Sequence, residues 1–335
     1  DKAIEVFLKL AEYNQDTVET HLALGNLFRR RGEVDRAIHL HLNLLARKEL
    51  PDPQKLAVTA ELAQDYLKAG LLDRAEELFR SLDDSRYQQP ALRALLEIYV
   101  REREWERAIE AATELERLSG VPFRKEIAQY YCEMAIRATL ANEVDKARQQ
   151  LQMALAANQN CVRANVMLGD IEAAAGAHEA AISIWKRIEF QQAEFLGFIS
   201  AKMLASYRVL DKTAEGLKLL KTYLNTYKMP SLLNVVYEAT MSEQGPEDAA
   251  RLARDELAKR PSLQTRDQLL QARAMLDNAE QQDNHIMQLT VRNAIGNRSA
   301  YFCDQCGFRA RHYHWQCPAC NSWESFPPEP KEPAL

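Results

Sequence analysis

A small residue recurs along most of the chain at intervals close to 34 residues, and this period restricts the possible folds more than any other feature. The small residues are placed to begin the second helix of a helical pair, at Ala3, Ala37, Ala75, Ala108, Ala147, Ala181, Gly216 and Ala249. The successive intervals are 34, 38, 33, 39, 34, 35 and 33 residues. Such a period is typical of helical repeat proteins, in which each unit packs on its neighbours.

The residues around these positions match the tetratricopeptide repeat pattern. One unit has Gly25 and Phe28 ahead of Ala37, and another has Gly169 ahead of Ala181. Small residues let paired helices approach closely, and large residues at four-residue spacing fill the space between them. The pattern therefore predicts an all-α protein, a superhelical solenoid of about eight tetratricopeptide repeats.

Composition and helix-breaking residues agree with this interpretation. Only 11 glycines and 12 prolines occur in 335 residues, and 47% of the residues are apolar. Gly32, Gly70, Asn142 and Gly176 fall where the paired helices should be joined. The net charge of -5 argues against a general affinity for nucleic acids. No apolar run approaches the roughly 18 residues that a membrane-spanning helix needs.

The two ends of the repeat region predict the domain organisation. Residues 1–7 have the pattern of a second helix whose first helix is missing, so we expect the chain to be cut from a longer one. Two further helices are expected at about 264–276 and 280–294. The predicted domains are the repeat array at residues 1–295, a metal-binding module at 298–327 and a proline-rich, disordered tail at 328–335.

Two Cys-x-x-Cys pairs near the end of the chain predict a metal site. Cys303 and Cys306 form the first pair, Cys317 and Cys320 the second, and ten residues separate the pairs. This spacing favours a tetrahedral four-sulfur site, with zinc as the first choice and iron as the second. Two disulfides are the alternative, but they require an oxidising compartment, and no secretory signal is present.

Aromatic residues crowd the cysteines and explain how so short a segment could fold. They are Tyr301, Phe302, Phe308, Tyr313, Trp315, Trp323 and Phe326. A module of about 30 residues cannot bury a sufficient core alone, so metal and aromatic side chains must substitute for size. The predicted site is a closed, rubredoxin-like knuckle with a structural metal.

The repeat register also predicts a groove for protein binding. The first helices of successive units should line a concave surface. Positions expected to face it are Asn26, Arg30, Arg93, Arg101, Arg163, Asp170 and Arg208. An arginine-lined groove would suit an acidic or extended peptide. The alternative is that these are ordinary solvated helix positions.

The remaining candidate residues favour no other chemistry. Arg309, Arg311, His312 and His314 lie between the cysteine pairs and suit either a solvated loop or a nucleic-acid-binding knuckle. Cys132 and Cys161 fall in helical sequence and are expected to be buried thiols. We find no Ser-His-Asp order, P-loop, Gly-x-Gly-x-x-Gly or His-Glu-x-x-His motif, and we therefore predict that the chain is not an enzyme.

The order of the two parts of the chain is rare. About eight repeats are followed directly by a knuckle that contains Tyr-Phe-Cys-Asp-Gln-Cys-Gly-Phe and Trp-Gln-Cys-Pro-Ala-Cys. Over essentially its whole length, the chain resembles the lipopolysaccharide assembly protein B family of Gram-negative bacteria. The specific part of the resemblance is the segment from Tyr301 to Phe326. The four cysteines of the family's knuckle match Cys303, Cys306, Cys317 and Cys320 one for one.

The resemblance implies a function that the residues alone do not. Members of the family carry an N-terminal anchor, which holds the repeats on the cytoplasmic side of the bacterial inner membrane. They act as adaptors that promote degradation of the deacetylase committing lipid A synthesis, by a membrane-bound ATP-dependent metalloprotease. The expected partners are the protease, the deacetylase and other lipopolysaccharide assembly proteins. No nucleic acid is expected as a partner, and a homodimer is an open alternative. The family is also expected to pack its knuckle against the repeats.

Two other functions stay open at this point. A four-cysteine iron site could serve electron transfer on a protein-binding scaffold, as in rubredoxins. A knuckle that binds nucleic acid would show affinity that falls steeply with added salt.

Overall fold

A computed structural model describes residues 18–276 and 301–329, together with Leu289 and Val291, and within them the chain is mainly helical. The α-helices are α1 Val18–Arg30, α2 Val34–Leu45, α3 Asp52–Ala69, α4 Leu72–Arg80, α5 Gln88–Glu102, α6 Trp105–Ser119, α7 Arg124–Leu140, α8 Val144–Ala157, α9 Val162–Ala174, α10 His178–Lys186, α11 Ile188–Gln192, α12 Leu196–Val209, α13 Thr213–Tyr227, α14 Pro230–Gln244, α15 Pro246–Lys259 and α16 Leu263–Leu276. A 3-10 turn covers Ala193–Phe195, and two short strands are β1 Tyr301–Phe302 and β2 Arg309–Ala310.

The chain divides into two compact units, at residues 1–134 and 135–335. In the first unit, α1 packs on α2, α3 on α4 and α5 on α6, and each pair also contacts the next. In the second unit, the pairs α9 with α10, α12 with α13 and α14 with α15 pack in the same way, and α16 packs on α15. This paired arrangement is the tetratricopeptide repeat fold that the sequence predicts.

The small residues that mark the repeat lie at the centre of the helix pairs. Their side chains are all 0% exposed, at Ala37, Ala75, Ala108, Ala147, Ala181 and Ala249. Gly216 is buried as well. These positions confirm the predicted register, apart from Ala3, which lies outside the described residues.

Close approach between paired helices explains the two glycines of the repeat pattern. A β-carbon at Gly25 would come within 2.3 Å of the His41 ring, and one at Gly169 within 2.1 Å of the Trp185 ring. In both pairs, a ring from the second helix lies directly on the backbone of the first. Any larger side chain at these glycines would separate the helices.

The turns inside the helix pairs also agree with the sequence. Gly32, Gly70, Asn142 and Gly176 have φ angles of 82°, 76°, 61° and 79°, in the left-handed region. Glycine adopts this conformation without strain, and asparagine tolerates it better than most residues. Each of these residues ends a first helix and lets the second helix fold back.

The longer intervals are accommodated partly within helices. Although Pro51 and Pro53 follow one another closely, α3 begins at Asp52 and includes Pro53 in its first turn. A proline is tolerated there because the first amides of a helix have no partner within it. The longest helices are α3, with 18 residues, and α7, with 17, so part of the additional length lies in first helices.

The predicted terminal features fall only partly within the described residues. The helix expected at 264–276 is α16, while the one expected at 280–294 lies outside the described residues, except that Leu289 and Val291 are helical. The predicted domain boundaries near 295 and 298 therefore stay predictions. Within the described residues, no helix has the length and apolar character needed to span a membrane.

Candidate metal centre and its contacts with the repeats

Two loops of equal geometry carry the four cysteines. In the first, the Gly307 amide donates to the Cys303 carbonyl at 2.8 Å, and the Cys303 amide donates to the Phe308 carbonyl at 2.9 Å. In the second, the Asn321 amide donates to the Cys317 carbonyl at 2.9 Å, and the Cys317 amide to the Ser322 carbonyl at 2.8 Å. Strands β1 and β2 flank the first loop as an antiparallel pair.

Corresponding residues of both loops have the same unusual backbone conformation. Gly307 has φ 75° and Asn321 has φ 59°. The sequence predicts this role for Gly307, because glycine relieves a tight turn. Asn321 was missed, although its type was a signal, since asparagine is enriched at positive φ.

The four sulfur atoms converge on one point. The Sγ atoms of Cys303 and Cys320 are 3.7 Å apart, as are those of Cys306 and Cys317, and all four lie within 4.8 Å of one another. A zinc–sulfur bond of about 2.3 Å in a tetrahedron gives a sulfur–sulfur distance of about 3.8 Å. The donor set thus fits one four-coordinate metal ion. All four cysteines are free thiols, so the alternative of two disulfides is not observed.

The surroundings divide the thiols into two classes. Burial acts to raise the pKa of Cys303, but hydrogen bonding to Ser325 and to the amides of Cys306 and Gln305 outweighs it and lowers the pKa to about 6. Ser322, through its hydroxyl and its amide, likewise lowers the pKa of Cys320. The Oγ atoms of Ser325 and Ser322 lie 3.3 and 3.4 Å from these sulfurs. The thiols donate to these hydroxyl oxygens in the structure, and once a cysteine ionises its neighbouring hydroxyl can donate to the thiolate, which is the form that binds metal.

The other two thiols hold their protons more tightly. The Phe308 amide acts to lower the pKa of Cys306, but burial and the three neighbouring thiols raise it to about 12. For Cys317, burial is the main cause of a raised pKa, and Cys320 and Cys303 add to it. Four thiolates this close would repel one another, and a divalent cation removes that repulsion.

The other candidate ligands stay outside this cluster. Arg309, Arg311, His312 and His314 are all exposed, and neither histidine joins the four sulfurs. Cys132 in α7 and Cys161, which directly precedes α9 rather than lying in a helix, are both 0% exposed, so both are buried thiols as the sequence predicts.

Aromatic side chains join the metal module to the repeats of the second unit. The ring of Trp315 stacks on that of Phe195, with centroids 5.4 Å apart and planes 7° from parallel. Tyr313 meets Phe195 and Phe198 edge to face, at 6.0 and 4.8 Å. Phe195 and Phe198 belong to the 3-10 turn and to α12, so this contact extends the core of the repeats into the module.

Arg163 provides a second contact between these parts. Its guanidinium carbon lies 5.8 Å from the Trp315 ring and 5.6 Å from the Trp323 ring. The residue is only 6% exposed. The prediction that Arg163 faces an open groove is thus wrong, because the module covers the start of α9. A guanidinium over tryptophan faces is a favourable arrangement, most of all where water is excluded.

The chain stays packed beyond the predicted end of the module. Pro328 is buried, and Glu329 accepts a hydrogen bond from the Ser231 hydroxyl. Burial raises the pKa of Glu329, against the opposing effect of Ser231. Disorder was predicted from residue 328, and residues 330–335 lie outside the described residues.

The other predicted groove residues are divided between the two units. In the second unit, Asp170 pairs with Lys202 at 2.6 Å and Arg208 with Glu243 at 3.2 Å, each joining first helices of successive repeats. In the first unit, Arg30, Arg93 and Arg101 are exposed and Asn26 is partly buried. Arg30 and Arg101 line the same cavity, on α1 and α5.

Comparison with known proteins agrees with both parts of the chain. The tetratricopeptide repeat family matches residues 134–192, and the rubredoxin metal binding domain family matches residues 301–328. Lipopolysaccharide assembly protein B of Escherichia coli strain K12 is 32% identical over 333 residues, which cover 98% of this chain and 85% of that protein. The chain belongs to the lipopolysaccharide assembly protein B family.

A second member of the lipopolysaccharide assembly protein B family, from Haemophilus influenzae strain Rd, is 30% identical over 344 aligned positions and covers the same shares of both chains. Among solved structures, a tetratricopeptide repeat protein from Parabacteroides merdae aligns with 82% of this chain and 99% of its own, at 17% identity and a TM-score of 0.34.

In this member of the lipopolysaccharide assembly protein B family, the sequence does not reveal the residues that hydrogen-bond to the metal-binding cysteines. Ser322 and Ser325 are the main examples. No spacing rule relates a serine to a metal-binding cysteine, so the hydrogen bonds between these serines and the sulfurs become visible only when the second loop is folded. Phe195 and Phe198 were also missed, because the sequence shows no feature that pairs them with Tyr313.

Proposed function

We propose that the chain is a non-enzymatic adaptor in lipopolysaccharide assembly, which promotes proteolysis of the deacetylase that commits lipid A synthesis. The protease would be a membrane-bound, ATP-dependent metalloprotease. The observation that carries the proposal is the relationship to lipopolysaccharide assembly protein B over 98% of the chain, through repeats and metal module alike. Tetratricopeptide arrays present long surfaces to other proteins, which is what an adaptor requires.

The proposed location is the cytoplasmic side of the inner membrane, through an N-terminal anchor ahead of the repeats. A location beside the membrane would place the repeats near a membrane-bound protease. The support for this location is family membership.

The adaptor proposal is tested by the lifetime of the deacetylase in the source bacterium. After protein synthesis is stopped, the deacetylase should persist several times longer in a strain lacking this protein than in the parent strain. The difference should vanish when the protease is also absent, because both changes act on one route. A deacetylase lifetime that does not depend on this protein would disprove the proposal.

For the metal, we propose one structural zinc ion held by Cys303, Cys306, Cys317 and Cys320. Four protein sulfurs fill a tetrahedral site and leave no open position for a substrate, which is typical of structural zinc. Iron fits the same four sulfurs, and an iron site would favour electron transfer. Elemental analysis with a visible absorption spectrum distinguishes them: one zinc per chain and no colour is expected, whereas stoichiometric iron that bleaches reversibly would overturn the assignment.

A further inference from the structure

The first unit contains a cavity that is lined by three successive first helices. It has a volume of about 500 Å³ and is lined by residues of α1, α3 and α5. Arg30 contributes from α1, Leu67 and Lys68 from α3, and Glu97 and Arg101 from α5. A cavity of this size suits one or two side chains of an extended peptide rather than a whole domain.

The cationic side chains that line this cavity differ in whether they already form ion pairs within the protein. Arg29 is held by Asp65 at 2.7 Å and by Glu61 at 2.6 Å, so its charge is neutralised within the protein. Arg30 and Lys68 are exposed, and neither forms an ion pair with any residue that the structure describes. Among the described residues, these two positive charges on neighbouring helices line the cavity without an ion-pair partner.

Arg101 adds a third cation that a ligand could recruit. It pairs with Glu97 at 2.5 Å, one turn earlier on the same helix, and both side chains are about half exposed, at 48% and 49%. Exposed pairs of this type contribute little to stability, because solvent screens them. A ligand carboxylate can thus take over Arg101 at little cost, while Glu97 turns to solvent.

The cavity also has an apolar side chain among its cations. Leu67 lies next to Lys68 on α3 and is only partly buried. A ligand that matches this surface carries carboxylates on either side of an apolar residue. That pattern belongs to an acidic peptide segment, and it makes use of both the charge and the shape of the site.

We propose that this cavity binds an acidic segment of a partner protein, with carboxylates at Arg30, Lys68 and Arg101 and an apolar side chain on Leu67. The inference rests on the proposed adaptor function for its biological meaning. It restricts the predicted groove to the part around this cavity in the first unit, since Arg163 is covered and neither Asp170 nor Arg208 lines the cavity. Arg93 and Asn26 do not line this cavity.

Polyphosphate ligands fit the site less well than a peptide does. Nucleic acids and anionic membranes bind through many cations spread over a surface, and their affinity grows with the number of phosphates contacted. Here two unpaired cations lie beside Glu97 and beside the carboxylates that hold Arg29. Those carboxylates would repel a dense row of phosphates but tolerate a few well-placed carboxylates.

The inference is tested with the peptide Glu-Glu-Leu-Glu-Glu-amide, labelled with fluorescein at its N-terminal amine and titrated with the purified chain at low salt while anisotropy is recorded. The double variant Arg30→Glu/Lys68→Glu should weaken binding at least tenfold. Lys55→Glu is the matched control. Lys55 is an exposed lysine of the same helix, 13 residues from Lys68 and therefore about 20 Å away, and it does not line the cavity. Its substitution should change affinity less than twofold.

Changes in the peptide sequence test whether an apolar side chain of the ligand contributes to binding. Replacing the central leucine of the peptide by serine should weaken binding several-fold, and a peptide of lysines around leucine should not bind. Circular dichroism of each variant establishes that the helices are intact.

Three results would overturn the inference. They are equal binding by wild type and the double variant, equal loss in the Lys55→Glu control, or stronger binding of a single-stranded oligonucleotide with the same dependence on Arg30 and Lys68. Failure of the peptide-binding proposal can be distinguished from failure of the adaptor proposal, because the first is measured by peptide affinity and the second by the lifetime of the deacetylase in cells. Normal deacetylase turnover with the double variant, together with loss of peptide binding, would leave the site in place and assign it to another partner.

Discussion

At the scale of single residues, the repeat pattern has a polar residue, His41, at a core position. His41 lies four residues after Ala37, and the corresponding positions in four other repeats hold large apolar residues, at Phe79, Leu151, Trp185 and Leu220. Two repeats have alanine there, at Ala112 and Ala253. Yet His41 is 0% exposed, and its Nδ1 atom lies 2.5 Å from Asp65, which is also 0% exposed. Asp65 in turn pairs with Arg29. The sequence predicts the burial of this position by its offset from Ala37, but not the partners, since they come from two other helices.

The buried carboxylate of Asp65 gives the first prediction. Asp65→Asn keeps the shape but leaves Arg29 and His41 without their buried charged partner, and breaking a buried pair in this way costs about 3 kcal/mol. Hydrogen exchange of the α3 amides should show that loss of protection. Asp35→Asn is the control, because Asp35 is exposed on α2, and it should change protection by less than about 0.5 kcal/mol. Equal effects of the two variants would contradict a special role for Asp65.

The second prediction concerns protons at the metal site. The pKa of Cys306 is raised to about 12 and that of Cys317 is also raised, so both thiols are protonated at pH 7 in the absence of metal. Because metal binds the thiolate, at least two protons should be released per ion, and affinity should fall as the pH is lowered. Calorimetric titration with zinc in buffers of different ionisation enthalpy measures the number. Release of fewer than one proton would show that these thiols are already ionised.

At the scale of elements, the regular helices were predictable and their interruptions were not. Trp185 and Ile188 are both buried, as the repeat spacing predicts, but the second helix breaks at Arg187 and continues as the short α11. No proline or glycine marks this break. The interruption places Phe195 of the 3-10 turn against Tyr313 and Trp315 of the metal module. This aromatic contact joins residues more than a hundred positions apart in sequence, and a single-sequence pattern carries no record of it.

This contact gives the third prediction. Trp315→Ala removes the ring stacked on Phe195 and one of the two rings beside Arg163, so amide protection in residues 301–329 should fall by roughly 2 kcal/mol. The metal should stay bound, because none of the four sulfurs is altered. Phe308→Ala is a suitable control: it removes an aromatic side chain of the same module that is 38% exposed. A similar loss in both variants would mean that the module is held by something other than the aromatic contact.

At the scale of the whole molecule, the metal module packs on the repeats of the second unit, as the family resemblance implies. Repeat units depend mainly on their neighbours, so loss of a terminal module should leave distant repeats folded. The metal module, however, is not an appendage of its unit. Tyr313 and Trp315 pack on the core around Phe195, and Glu329 is hydrogen-bonded to Ser231 on α14. The fold class and the four cysteines were predictable because both follow from short spacing rules, whereas the sharing of one core between module and repeats follows from contacts between remote residues.

The last prediction distinguishes a modular picture, in which the metal module unfolds alone, from an integrated picture, in which its loss also loosens the repeats that it contacts. Cys303→Ser/Cys306→Ser removes two of the four sulfurs, and a closed four-sulfur site with two ligands lost cannot hold its ion or stabilise so small a fold. Residues 301–329 should lose all protection from hydrogen exchange. Protection should also decrease at residues 188–207, whose aromatic side chains lose their cover, while residues 18–119 keep theirs. Loss confined to 301–329 would support the modular picture, and loss throughout the chain would show that the metal supports the entire array. An intermediate boundary near α12 is what the shared core requires, because packing energy is lost only where the module touches the repeats.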